Sequence, residues 1–116
     1  MSLQIEQREA APGTIVLSLA GRVMLGEESA QIDTLIARML GEGNRNFVID
    51  LSGVTHIDST GIGRFIAGFN RVFQAKGRLV MAGATGQVRD SFAVTRLDTV
   101  FRFYPGPAEA LAALAG

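Results

Sequence analysis

The stretch Phe47-Val48-Ile49-Asp50-Leu51-Ser52-Gly53-Val54-Thr55-His56-Ile57-Asp58-Ser59-Thr60-Gly61-Ile62-Gly63 changes its pattern halfway along. Phe47 to Leu51 is a short, nearly continuous apolar run, which is how a central strand covered on both faces reads. From Ile62 the spacing is different. Ile62, Phe65, Ile66, Phe69, Val72 and Phe73 recur as one stripe of an amphipathic helix. The residues between, Ser52 to Asp58, read as a loop. A buried strand, a loop and a helix in succession make the first half of a β-α-β unit.

The flanking sequence continues the alternation. On the N-terminal side, Ile32, Leu35, Ile36, Met39 and Leu40 mark a helix from Glu28, ended by Gly41 and Gly43. Before it, Thr14 to Ala20 is a strand. Pro12-Gly13 is a turn that hairpins it to an alternating edge strand, Leu3 to Glu9. Gly21 to Gly26 is a loop that carries apolar Val23, Met24 and Leu25.

On the C-terminal side, Lys76-Gly77 closes the central helix, with a cation in its last turn and glycine after it. Leu79 to Ala82 is the next strand. Thr85 caps a short helix containing Val88 and Phe92. Thr99 to Phe103 is the last strand. Pro107 opens a closing helix anchored by Leu111 and Leu114. The order β-β-α-β-α-β-α-β-α predicts an α/β domain over residues 1–116. Its sheet is mixed but mostly parallel, four- to five-stranded, with about four helices and right-handed crossovers.

Composition narrows the function. The 116 residues suffice for one core. Eleven basic residues balance eleven acidic ones, so long-range attraction to nucleic acid or to an anionic membrane is not expected. There is no cysteine, which removes disulfides, thiolate catalysis and cysteine-built metal sites. The start, Met1 to Glu6, carries no basic region followed by an apolar run, and no apolar stretch is long enough to cross a bilayer. The expectation is a soluble cytoplasmic protein without membrane insertion, a monomer or weak dimer.

An enzyme's toolkit is missing. The one histidine, His56, would be a general base only if it faced Ser59 or Ser52. Asp50 and Asp58 could be read as a magnesium pair, but an aspartate at a strand end and another near a helix cap are common. No glycine is followed by Lys-Ser or Lys-Thr, so there is no phosphate-binding loop of that type. Gly61-Ile62-Gly63-Arg64-Phe65-Ile66 begins like a dinucleotide fingerprint but has isoleucine where the third glycine belongs. No cofactor, metal or catalytic residue is expected.

What remains is Asp58-Ser59-Thr60-Gly61-Ile62-Gly63 at a helix start. Ser59 there is an N-cap, or a phosphoacceptor, or both. A helix N-terminus has unpaired N–H groups and partial positive charge, so it tolerates an added phosphate. Gly61 and Gly63 leave little side-chain cover beside the hydroxyl. They equally permit close helix–sheet packing, and the sequence does not separate the two. On the helix face opposite the apolar stripe stand Arg64, Gly68 and Arg71. With Ser59 and the apolar Met24 and Leu25 they form the expected partner-binding patch.

The same segment resembles the signature of STAS domains, the family of bacterial anti-sigma factor antagonists. That signature is an apolar strand ending in Asp-Leu-Ser-Gly-Val, then Ile-Asp-Ser-Ser/Thr-Gly-Leu/Ile-Gly. The likeness extends through the Leu19-Ala20-Gly21-Arg22 turn, Gly77-Arg78-Leu79 and Leu97 to Phe101. It implies a partner switch and not an enzyme. The unphosphorylated antagonist binds an anti-sigma factor that is also a serine kinase and so frees a sigma factor. The kinase then phosphorylates the serine after the aspartate, and a PP2C-type phosphatase reverses this. By motif the phosphoacceptor is Ser59, flanked by Asp58, Thr60, Gly61 and Gly63. Met24 stands near the place where such antagonists often carry an acidic residue. The family also implies a second role, as a stressosome scaffold or an accessory of a membrane lipid or anion transporter.

Overall fold

The computed structural model describes residues 3–115. Met1, Ser2 and Gly116, the ends of the expected domain and the first residues of the N-terminus read above, lie outside them. The elements run β1 (Gln4–Ala11), β2 (Thr14–Val23), α1 (Glu27–Gly41), β3 (Asn46–Ile57), α2 (Ser59–Gln74), β4 (Arg78–Ala82), α3 (Gly86–Val94), β5 (Phe103–Tyr104) and α4 (Pro107–Ala115). One sheet holds all five strands in the order β1-β2-β3-β4-β5. β1 pairs antiparallel with β2, and every other pair is parallel. The domain is α/β with a mostly parallel sheet and four helices, as expected.

Alternation along the central strands builds two cores. Ile15, Leu17 and Leu19 of β2, Phe47, Ile49 and Leu51 of β3, and Leu79 and Met81 of β4 join residues of α1, α2 and α3 on one face. Val16, Val48, Val80 and Ala82 point the other way, where Ala110 and Leu114 of α4 cover them. This two-sided burial is why Phe47 to Leu51 is apolar at every position but one. Three successive β-α-β crossovers put α1, α2 and α3 on the same face. α2 therefore runs from the C-terminal end of β3 to the N-terminal end of β4.

Several boundaries differ from the sequence expectation. Ser52 to Ile57 is strand, not loop, and Gly21 to Val23 extends β2. The β2–β3 ladder carries register shifts between Ser18 and Ala20 and between Gly21 and Arg22. Such irregular pairing, together with buried Val54 and Ile57 spaced by three, hides the period of two. The last strand is Phe103–Tyr104. A single 3-10 turn, Leu97–Thr99, precedes it and carries the chain where a strand was expected. Thr85 does sit at the N-cap of α3, though its side chain makes no capping bond. In α4, Ala110 and Leu114 are buried, with Leu111 packed alongside.

The end of α2 also departs from the simple pattern. The helix stops at Gln74, so Lys76 lies beyond the last turn and takes the left-handed conformation, φ 65°. Gly77 follows because a Cβ there would overlap the Arg45 carbonyl. Phe73, placed on the core stripe by its spacing, is 69% exposed.

Candidate functional site at the start of the second helix

Three chain segments converge at the first turn of α2: the end of β2, the end of β3 and the helix itself. The Asp58 N–H donates to the Val23 carbonyl at 3.3 Å, which docks the helix start against β2. Asp58, not Ser59, is the N-cap. Its backbone is extended, φ −119° and ψ −177°, and its Oδ1 accepts the Gly61 N–H at 2.8 Å. The other carboxylate oxygen, Oδ2, accepts the Leu25 N–H at 3.0 Å. One side chain thus caps α2 and pins the loop between β2 and α1.

Ser59 is displaced from the capping position by one residue. It is the first residue inside the helix and is exposed. The Ile62 N–H is bonded to the Asp58 carbonyl at 3.0 Å and the Gly61 N–H to its carboxylate. Among the described residues no acceptor takes the N–H groups of Ser59 and Thr60. The hydroxyl therefore stands at a helix N-terminus with two unused donors, an arrangement that favours an added anion.

The two neighbouring glycines have different reasons. Gly61 is buried, and a Cβ there would overlap the Val23 carbonyl and lie 3.0 Å from Ile57 Cγ1, so it serves close packing against β2. Gly63 is exposed, with nothing within 4 Å of a Cβ, so it keeps the surface beside Ser59 low. Both readings that the sequence left open hold, one for each glycine.

Two clefts meet at Asp58, and Ser59 lines one of them. One, of about 500 Å³, lies between the start of α2 and α3 and is lined by Ile57, Ser59, Ile62, Gln87, Asp90 and Val94. Val94 is 82% exposed despite its size. The other, of about 310 Å³, is lined by Arg22, Met24, Leu25, Ser29 and Asp58. Leu25, at its rim, is 80% exposed. Sequence reading had no access to the α3 side. Its signal is a single glutamine: the Gln87 side chain accepts the Ile57 N–H and donates to the Ile57 carbonyl, both at 3.2 Å. That amide stands in for a neighbouring strand at the end of β3 and fixes one wall of the cleft.

Met24 and Leu25 are brought to Asp58, the residue before Ser59, because Asp58 holds their loop. The other half of the expected patch is not free. α1 packs along that side of α2. Gly68 is buried, where a Cβ would lie 2.6 Å from Ile36 Cδ1. Its lack of a side chain lets α1 approach. Arg64 Nε donates to Ser29 Oγ at 3.2 Å. Arg71 forks onto Asp33, with Nε–Oδ1 2.7 Å and NH2–Oδ2 3.2 Å. That hydrogen bond, and after it the charge of Asp33, raises the Arg71 pKa above its ordinary value. Arg64 remains half-buried at the edge of the site, whereas Gly68 and Arg71 belong to the α1–α2 contact.

The remaining polar residues are engaged elsewhere. His56 Nδ1 lies 3.0 Å from the Thr55 hydroxyl. Asp50 Oδ1 accepts from the Ser52 N–H at 3.1 Å and from its hydroxyl at 2.7 Å, while Asp58 serves Leu25 and Gly61. Among the described residues no group of three His, Asp or Glu side chains could hold a metal ion. No helix among them is long and apolar enough to cross a membrane.

Asp58→Ala removes the cap and the loop pin together. The expected loss of stability is about 1–3 kcal/mol, read from urea denaturation. A loss no greater than at an ordinary exposed site would show that the two bonds do not form in solution.

An exposed serine behind a capping aspartate stands on a five-stranded, mostly parallel sheet of this topology. The family model of the STAS domain matches residues 4–110, and the chain belongs to that family. Solved structures agree in fold. An anti-sigma factor antagonist from Mycobacterium paratuberculosis is 23% identical, with a TM-score of 0.83 over 99% of this chain and 96% of that one. The Bacillus cell fate determinant SpoIIAA in its phosphorylated form is 17% identical, with a TM-score of 0.76 over 95% and 98%. A sulfate transporter family protein from Wolinella succinogenes is 14% identical, with a TM-score of 0.80 over 93% and 89%. A comparison with curated proteins by sequence finds no match.

Proposed function

We propose that this chain is an anti-sigma factor antagonist, a cytoplasmic binding protein and not an enzyme. In this reading it captures an anti-sigma factor that is also a serine kinase, and phosphorylation of Ser59 releases it. A PP2C-type phosphatase restores the binding form. The observation that carries this reading is the placement of Ser59: exposed, at the first helical position, beside two unused N–H donors, lining a partly apolar cleft and next to Asp58, which lines a second. The same position serves both halves of a switch. The neutral hydroxyl leaves the exposed side chains of Leu25 and Val94 available to a partner. A phosphate adds about −1.5 to −2 charges in the middle of them at pH 7. A partner covering that surface would have to strip water from the charge, and the fold need not change for binding to fail.

The likeness to a sulfate transporter family protein supports a second reading, an accessory module of a membrane lipid or anion transporter; a scaffold of a stressosome is the other alternative. One experiment separates these from the first. The purified chain is incubated with the cognate kinase and ATP, and phosphate is mapped by mass spectrometry. Stoichiometric phosphate on Ser59 is expected. Phosphate confined to Thr60 would move the switch by one residue, and an unmodified chain would favour the scaffold or transporter role.

A further inference from the structure

The sheet keeps one long free edge, the outer side of β1. That strand pairs with β2 alone, and among the described residues no other segment bonds to its backbone. Gln4, Glu6, Gln7, Arg8 and Glu9 are exposed, and Ile5 is half-buried. Odd positions face α1: Ile5 packs against the core there, and Arg38 Nη2 donates to Gln7 Oε1 at 3.2 Å. Even positions face the other way, where Ala10 packs against the second core. Glu6 and Arg8 share that second face, and among the described residues neither has an ion-pair partner within the chain. Unpaired main-chain donors and acceptors on such an edge are a template for another strand.

A second copy of the same edge fits it in one register. When two antiparallel edges are joined by a two-fold axis normal to the sheet, each keeps its faces, and the residue on the axis meets its own copy. With Glu6, Arg8 or Glu9 on the axis, like charges stand directly opposite each other, which is destabilising. An axis at Ile5 opposes Glu6 to Gln4 and pairs no charges. With Gln7 on the axis, Glu6 stands opposite Arg8 of the second copy, and Arg8 opposite its Glu6, on one face of the joined sheet. The ladder with β2 is regular from Gln4 to Glu9 and shifts register before Ala11. An axis at Gln7 keeps Ile5 to Glu9 of both copies within that regular stretch.

We propose that β1 is the interface of a symmetric dimer, in which two copies of this chain join their sheets edge to edge about Gln7. Main-chain bonds run along Ile5 to Glu9, and a Glu6–Arg8 pair stands on either side of the axis. The contact uses the same surface on both copies and so closes on itself. The far edge recruits no further copy. There β5 is two residues long, and Leu79 of β4 is 3% exposed. The axis reverses strand direction, so the two Ser59 surfaces lie at opposite ends of the joined sheet. Neither is covered, because β3 and α2 lie inward of β1 and β2. The dimer does not depend on the role given to Ser59.

The test uses the full chain, labelled with nitrogen-15 and diluted from about 1 mM to about 10 μM. The amide resonances of Ile5 to Glu9 are expected to move together with concentration, and sedimentation equilibrium should fit a monomer and a dimer. Glu6→Arg and Arg8→Glu each set like charges across the axis and should weaken association at least about tenfold. Both positions are exposed and unpaired within the chain, so folding is not at issue. Carrying both changes in one chain swaps the pair without altering net charge, and should restore the wild-type dissociation constant. Four results would overturn the proposal: a monomer at about 1 mM, single variants that associate like the wild type, a double variant as weak as the single ones, or shifts centred on Leu25, Val94 or Phe73. The last would place the contact between copies on another surface.

Discussion

Ser59→Asp is expected to fold like the wild type and to bind the cognate kinase at least about 100-fold more weakly, a loss of about 2.8 kcal/mol. Folding is spared because the first turn of a helix favours an acidic side chain, by about 0.3–1 kcal/mol. Ser59 is exposed and makes no capping bond that the change would break. Binding suffers because the carboxylate would sit between the exposed Leu25 and Val94 when a partner covers them. Burying an unpaired charge costs several kcal/mol. Ser59→Ala should keep its affinity and resist phosphorylation. Since Asp58 is the cap, its stability should stay within about 0.5 kcal/mol of the wild type. Thermal melts and titration calorimetry on the three proteins decide the matter. A Ser59→Asp protein that binds at full affinity would reject the switch.

Gly61→Ala and Gly63→Ala, two residues apart on the same helix, should move stability in opposite directions. At Gly61 the new methyl would meet the Val23 carbonyl, which is backbone at the end of β2 and cannot easily yield. The helix start must lift away from β2. That loosens the Asp58 N–H bond to Val23 and the cap that depends on it. The expected cost is about 3 kcal/mol or more, near the upper range for a single core change, and a fall in Tm of about 10 °C. At Gly63 the methyl meets nothing, and alanine should stabilise the helix by about 1 kcal/mol. Calorimetric melting of the two variants checks both signs. A Gly61→Ala protein that melts with the wild type would show that α2 does not approach β2 this closely in solution.

The sequence carried most of the fold because its strongest patterns belong to the most buried elements. Phe47 to Leu51 and the stripe from Ile62 to Val72 are apolar for reasons of burial alone, and both were legible. What escaped was structure held by pairing and not by burial. Ser52 to Ile57 has the composition of a loop and is a strand, since β2 is bonded alongside it. Val100 and Phe101 look like strand residues, but a 3-10 turn and the aromatic contacts of Phe101 with Phe69 and Phe92 hold them instead. At the site, Ser59, Asp58 and the Met24–Leu25 loop could be read from local signals. The α3 wall could not, because it rests on one glutamine thirty residues from its partner. Gly68 and Arg71 were placed on an open face because helical spacing says which side a residue is on, and not which neighbour comes to cover it.

Asp58 has a consequence for motion as well as for geometry. Its two oxygens hold the amides of Leu25 and Gly61, which belong to different segments of the chain. Neither bond has its own hinge, because both depend on one side-chain rotamer. When the carboxylate swings away, the loop loses its anchor and the helix loses its cap in the same event. Leu25 and the first turn of α2 therefore behave as one cooperative unit. The apolar rim that would greet a partner is released or presented together with the serine that would dismiss it.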